Sequence, residues 1–387
     1  MRRFWQARHS ADLGPMRFNL AEAGGALGDL GTFIPLVASL VAVCHLDLGS
    51  VLFFAGLYNI ISGLLFNQPI PVQPMKAIAA VAIAETLAPG AIAAAGLGAG
   101  IVVLLLGLSG LVTTIERLVP RAVVRGIQLG VGLKLLIKGI SMIHATSWRS
   151  LDGPLLACVA AAFILLTSRK RRFPTALIVF AVGLAVMLAT QSQAFAALTI
   201  GWDGFVMTVP TLGQWQQGLL WGALPQIPLT LLNSVIAVCA LSAELYPGRG
   251  IGTRPMAVSV GLMNVLGCWF GAMPMCHGSG GLAGQHRFGG RSGGSVVILG
   301  TSKIAIAVLF GSSAAILLAA YPTSVLGVLL CFAGTELALP ARSSIDRNDF
   351  FLAVLTAGGC LGFNTAVGFA LGMAAAWLLA ASGEVED

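Results

Sequence analysis

From Phe18 to Ala381 the chain is a succession of apolar segments, each about 20 residues long and separated by short polar or Pro/Gly breaks. That pattern admits few folds. A backbone that crosses lipid must satisfy its own polar groups, so segments of this length with breaks this short specify helices. No soluble domain of this size would tolerate 57% hydrophobic residues, 10% charged residues and a mean hydropathy of +0.90 over 387 residues. The fold class expected is therefore an all-α polytopic membrane protein. The net charge of +7 does not point to nucleic acid, because the basic residues fall in short clusters between apolar segments. They read as a topology signal.

The expected spans are Phe18 to Val43, Ser50 to Phe66, a broken segment Gln68 to Leu87, Ile92 to Ile115, Val123 to Ile140, Pro154 to Thr167 and Thr175 to Thr190. After a polar loop containing Trp202 and Asp203 follow Gln217 to Ser242, Pro255 to Ala272, a broken segment Met273 to Gly289, Gly294 to Leu318, Ser324 to Leu339, Phe350 to Gly362 and Thr365 to Ala381. This makes 14 transmembrane segments. With a cytosolic N-terminus, the inside holds Arg2, Arg3, Arg8, Arg17, Arg117, Arg121, Arg125, Arg169, Lys170, Arg171, Arg172, Arg249, Arg254, Arg287, Arg291, Arg342 and Arg347. Arg149 and the helix-end Lys138 are left outside. The first residues lack an apolar h-region, so they read as a cytosolic lead-in at 1–17 and not as a cleaved signal. The remaining divisions are a first transmembrane repeat at 18–190, an extracytoplasmic linker at 191–216, a second repeat at 217–382 and an acidic cytosolic tail at 383–387.

The two halves echo each other. Gly56-Leu57-Tyr58-Asn59 followed by Pro69 returns as Gly261-Leu262-Met263-Asn264 followed by Pro274, and Ile34-Pro35-Leu36 returns as Ile227-Pro228-Leu229. Seven spans per half is an odd number, so the second half enters the membrane inverted, a 7+7 inverted repeat.

The broken segments carry the chemistry. Pro69, Pro71 and Pro74 remove backbone donors and force an extended chain, so a helix starts at about Pro74, part-way across the bilayer, with Lys76 in its first turn. In the second half, Met273 to Gly281 again combines an extended lead with a helix start. Ser279 is placed to cap it, and the glycines are placed to form an anion-binding nest. Inversion points the two half-helix N-termini at each other near the midplane, where their partial positive charge attracts an anion.

Among the other polar residues, Gln73 and Ser279 are the nearest neutral donors. Asp29 and Glu336 are candidates for carrying a coupled proton, whereas Glu22 reads as a structural carboxylate near the cytosolic face. Asn59, Asn233 and Asn264 read as hydrogen-bonding between helices, and His277 as shaping the site. The seven cysteines are scattered without a CxxC pair, so neither disulfides nor zinc are expected. No catalytic residue, metal or cofactor is expected either.

Gly28-Asp29-Leu30-Gly31-Thr32, Pro71 to Ala79, and Cys276 to Gln285 with Phe288 and Arg291 resemble the molybdate transporter family related to sulfate permeases. The resemblance covers essentially the whole chain. It implies the inverted-repeat fold of sulfate permeases and nucleobase transporters, a core and a gate subdomain, a homodimer in lipid, and uptake of a tetrahedral oxyanion with molybdate as lead substrate. Carried over by motif, Thr32, Gln73, Met75, Lys76, Ser279, Gly280 and Gly281 surround the anion. Unlike ordinary sulfate permeases, the chain ends in Gly-Glu-Val-Glu-Asp without a cytosolic regulatory domain, and His286 stands where the family has an aromatic residue. The expected location is a bacterial inner membrane with both termini cytosolic. A sulfate or nucleobase transporter of the same fold is the nearest alternative, although Lys76 and the glycine nest favour an oxyanion. An anion channel is a different class, and Cys276-His277 is the sole hint of an intramembrane enzyme, without an acid or metal cluster beside it.

Overall fold

The computed structural model describes residues 14–167, 175–202, 204–205, 207–343 and 346–381. The basic residues Arg2, Arg3, Arg8 and Arg169, Lys170, Arg171 and Arg172, together with Asp203 and the acidic tail, lie outside the described residues.

The fold is mostly helical. The first half runs α1 (Leu20–Cys44), α2 (Leu48–Phe66), a short strand β1 (Val72–Pro74), α3 (Lys76–Ala84), α4 (Pro89–Ser109), α5 (Leu111–Leu118), α6 (Arg121–His144), α7 (Pro154–Thr167), α8 (Thr175–Thr190) and the short α9 (Ser192–Ala196). The second half runs α10 (Leu212–Leu245), α11 (Thr253–Gly267), β2 (Met275–His277), α12 (Ser279–Arg287), α13 (Gly294–Phe310), α14 (Ala315–Ala320), α15 (Thr323–Ala338), α16 (Arg347–Gly362) and α17 (Thr365–Ala381).

Among the described residues, six helical stretches are long and apolar enough to cross a membrane: α1, α2, α4, α6, α10 and Gly294–Ala320. Four shorter apolar helices of 10–17 residues accompany them. By this measure the fourteen expected spans are not all full-length helices, and glycine reshapes two of the long ones. Gly110, at φ +80°, ends α4 and divides the expected span Ile92 to Ile115 into α4 and the amphipathic α5. Gly311, at φ +49°, likewise separates α13 from α14 within the expected span Gly294 to Leu318.

The main packing joins the first half of the chain to the second. α2 lies along α13, α4 along α11, and α6 along α15. Small residues let the backbones touch. At the reciprocal pairs Gly56/Gly300, Gly132/Gly334 and Gly139/Gly327, a methyl group on either glycine would come within 2.7 Å of the partner's carbonyl oxygen. α10 is irregular in a way that reaches the centre of the molecule: it contains two π segments, Gly218–Ala223 and Thr230–Ala237, on either side of Leu224–Leu229. Such wide turns re-aim side chains.

Candidate functional site

The two broken segments meet as a two-stranded antiparallel ladder in which Val72 pairs with His277, Gln73 with Cys276, and Pro74 with Met275. A ladder this small has two outer edges, and buried edge groups need partners. Asn59 and Asn264 supply them. Asn59 Oδ1 accepts from the Val72 amide at 2.8 Å. Asn264 Oδ1 accepts from the Met275 amide at 2.8 Å, while its Nδ2 donates to the Met275 carbonyl at 2.6 Å. The sequence suggested hydrogen bonds between helices for these two asparagines, but they hold the strands instead.

Each strand runs into a helix. α3 begins at Lys76 with Met75 as its cap, two residues later than expected, because Val72 to Pro74 are held in the ladder. The Met75 amide donates to the Pro274 carbonyl at 2.9 Å. α12 begins at Ser279 after Gly278, and Ser279 does not cap it: its hydroxyl donates to Asn233 Oδ1 at 2.7 Å instead.

The two helix starts differ in how their first amides are used. At α3, Gln226 Oε1 accepts from the Ala77 amide at 2.8 Å and the Ile78 amide at 3.3 Å, and Gln226 Nε2 donates to Thr230 Oγ1 at 2.8 Å. At α12, the amides of Ser279, Gly280 and Gly281 are buried and make no hydrogen bond among the described residues. They form an open donor set at the positive end of a helix dipole.

Side chains alternate across a strand, so Gln73 and Cys276 share one face of the ladder. On that face Gln73 Nε2 donates to Asp29 Oδ1. Asp29 is brought there by α1 crossing α12 at Gly28 and Gly284, where a methyl on either glycine would lie 2.4 Å from the other's carbonyl oxygen. A methyl on Gly281 would lie 2.6 Å from Gln73 Nε2 and 3.0 Å from Asp29 Oδ1. Gly281 thus borders this face, as does Gly278, whose added methyl would meet the Gln73 amide.

Lys76 is half-buried, makes no hydrogen bond or ion pair among the described residues, and lies within electrostatic reach of Asp29 and Cys276. On the Gln73 face two buried acceptors, Asp29 Oδ2 and Gln73 Oε1, also lack hydrogen-bond partners among the described residues. The arrangement offers an anion one ammonium and a set of free amides. It offers no acid–base or nucleophile pair for covalent chemistry. Among the described residues no group of three His, Cys, Asp or Glu side chains could hold a metal ion.

The remaining expected residues are placed unequally. Met75 is buried at the cap of α3, and Thr32 is half-buried on α1, three residues after Asp29 and so on the same side of the helix. Gly280 faces elsewhere: its missing side chain points at Leu135 of α6, 2.5 Å away, so it is a packing glycine. One position along a helix rotates a side chain by about 100°, which is why Gly280 and Gly281 differ. His277 is fully buried on the opposite face from Gln73, with Nε2 3.0 Å from Ser259 Oγ. Glu22 accepts from the Arg291 amide at 3.1 Å and the Ser292 hydroxyl at 3.0 Å, a structural role as expected. Glu336 lies toward the far end of α12 among Arg287, Arg291 and Arg342, 4.0 Å from His286 Nδ1.

Two residues of this region were missed in the sequence. Gln226 stands beside the echoed Ile227-Pro228-Leu229 and gave no signal of its own. Lys303 did give one: it is a lysine inside an apolar span, which is costly enough to suggest a role. It is 4% exposed, its Nζ lies 3.5 Å from the centroid of the Phe33 ring, and it has no hydrogen-bond partner.

The sequence model of the family described as "Molybdate transporter of MFS superfamily" matches residues 21–135 and 218–337, more than half of the chain. "Molybdate transporter 2" of Arabidopsis thaliana is 42% identical over 91% of this chain and 86% of its own length. "Molybdate transporter 1" of Chlamydomonas reinhardtii is 34% identical over 91% and 90%. The fold is similar to that of the anion transporter SLC26A9, at TM-score 0.62 and 13% identity over 98% of this chain and 67% of that one. It is also similar to the transmembrane domain of the cyanobacterial bicarbonate transporter BicA, at TM-score 0.57 and 16% identity over 91% and 96%. These relatives are named as transporters, and the Arabidopsis and Chlamydomonas sources lend no support to the expected bacterial inner membrane. With two matched stretches, one in each half, and this level of identity along nearly its full length, the chain belongs to the molybdate transporter family.

Proposed function

We propose that the chain is a secondary active transporter that imports molybdate by alternating access, binding the oxyanion between the N-termini of α3 and α12. The observation that carries this reading is the open set of buried amides at Ser279 to Gly281, on a ladder that also delivers Lys76. In a setting where water screens little, a dianion is held there by one full charge and helix dipoles without a metal. Gln73, Met75, Lys76, Ser279 and Gly281 form the immediate surroundings, with Thr32 one turn from Asp29. Molybdate is preferred over sulfate or a nucleobase because the relatives carry that name.

The architecture we propose is fourteen membrane crossings in two inverted repeats, 18–190 and 217–382, with α3 and α12 as half-length members. The helix pairing supports it: exchanging the halves turns the α2/α13 pair into α11/α4, and leaves the α6/α15 and β1/β2 pairs unchanged. Both termini are then cytosolic, and a homodimer follows by family analogy. Single cysteines replacing Arg249 and Arg149, in a background without the native cysteines, are expected to label from opposite sides of the membrane. Labelling from the same side would overturn the topology.

Of the two acids, Asp29 is the better proton carrier, since it borders the site with one unpartnered oxygen, whereas Glu336 sits among arginines. The test of function is titration of purified protein with molybdate, tungstate, sulfate and uracil, followed by uptake into proteoliposomes. Saturable molybdate uptake that rises on acidifying the outside, and loses that dependence in Asp29→Asn, is the expected result. Binding of uracil but of no oxyanion would sink the proposal.

A further inference from the structure

Two lysines act electrostatically on Asp29, Lys76 at the start of α3 and Lys303 on α13. Lys303 Nζ packs over the ring of Phe33, which follows Asp29 by about one turn of α1. The two cations are not equivalent. Lys76 is half-buried at the start of a half-helix, whereas Lys303 is 4% exposed and covered by the Phe33 ring 3.5 Å from its Nζ. A lysine shielded in this way is poorly placed to touch an anion, but its charge still acts on its neighbours. A lysine buried in an apolar helix is costly, and no hydrogen bond offsets that cost.

Without Lys303, the cation left to act on the Asp29 carboxylate would be Lys76. An ion pair between them would spend the charge that an oxyanion needs and place a repelling carboxylate beside it. With Lys303 present, Asp29 has a counter-charge of its own. We propose that Lys303 is a positioning residue for anion binding: it neutralises Asp29 and so leaves Lys76 free for the substrate.

This rests on the oxyanion reading of the half-helix site, and its test keeps the two apart. Molybdate is titrated into the purified full-length protein and into Lys76→Ala, Lys303→Met, Lys303→Arg, Asp29→Asn and Asp29→Asn/Lys303→Met. Lys303→Met is expected to bind about tenfold more weakly, a coupling in the middle of the range for residues of one charged network. Lys303→Arg is expected to stay within about threefold of the parent, because it keeps the charge.

The decisive arm is the double variant. Removing Asp29 as well removes the carboxylate that would otherwise capture Lys76, so affinity is expected to return to within about threefold of the parent. A purely structural lysine would not be rescued in this way. Parent-like binding by Lys303→Met overturns the inference, and so does a double variant as weak as the single one, which would mean direct contact or packing. If Lys303→Met does not fold, the double variant decides alone. Folded and binding, it supports the inference; weak binding, or failure to fold when Asp29→Asn folds, overturns it. If Lys76→Ala binds like the parent, it is the site itself that is wrong, whatever Lys303 does.

Discussion

Lys76→Ala is expected to weaken oxyanion binding by more than tenfold while leaving the protein folded. The side chain makes no hydrogen bond or ion pair that its removal would orphan, and it is half-buried, so truncation opens little new space in the packed interior. What it removes is the one full positive charge at the start of α3. A hydrogen bond to a charged group contributes about 1.5 to 3 kcal/mol, and each 1.4 kcal/mol is about a factor of ten in affinity. Titration with molybdate reads this directly, and thermal unfolding in the same detergent checks the fold. The first amides of α3 are already engaged by Gln226, so they cannot take over from the missing ammonium. Unchanged affinity would move the anion site away from the half-helices.

Gly284→Val is expected to have the larger effect on the folded state. α1 and α12 touch at Gly28 and Gly284, and any Cβ at 284 would lie 2.4 Å from the Gly28 carbonyl oxygen and 2.9 Å from the Ala333 Cβ. Neither neighbour is the free end of a flexible side chain. Overpacking of this kind costs about 1 to 3 kcal/mol, and more where backbone must shift. Because the crossing also sets Asp29 beside Gln73, separating the helices would break that contact too. A clear fall in unfolding temperature and in folded yield is the expected outcome, with loss of molybdate binding in what remains. A valine variant with the parent's unfolding midpoint and affinity would overturn the tight crossing of α1 and α12 as the element that sets Asp29 beside Gln73.

Much of this organisation was legible in the sequence because it is written in local signals. Apolar length placed α7, α8 and α17 at their ends, and proline placed both breaks. The repeated asparagines were visible as well, but not their use. A residue that satisfies the edge of a strand cannot be recognised until the strand has a partner some 200 positions away, and β1 and β2 form only through each other. Ser279 shows the same limit. Beside a helix start it reads as a cap, yet its hydroxyl goes to Asn233 on α10. For Gly280 and Gly281 the difficulty is angular, since which of two adjacent glycines borders the site depends on the exact residue at which α12 begins. Lys303 differs from all of these, because a lysine in an apolar span was a readable signal on its own.

The ladder has one more implication, which concerns entropy. Both half-helices hang from the same three residue pairs, and the Met75–Pro274 hydrogen bond ties the start of α3 to the opposite strand. At about 3.3 Å per strand residue, the two helix starts are separated by a rigid spacer only a few residues long. Neither can drift relative to the other without breaking that spacer. A ligand that reaches one terminus therefore finds the other already in register, and little of its binding energy is consumed in bringing the two together. The freedom a transporter needs must then reside outside this unit, in how the unit as a whole moves against the helices around it.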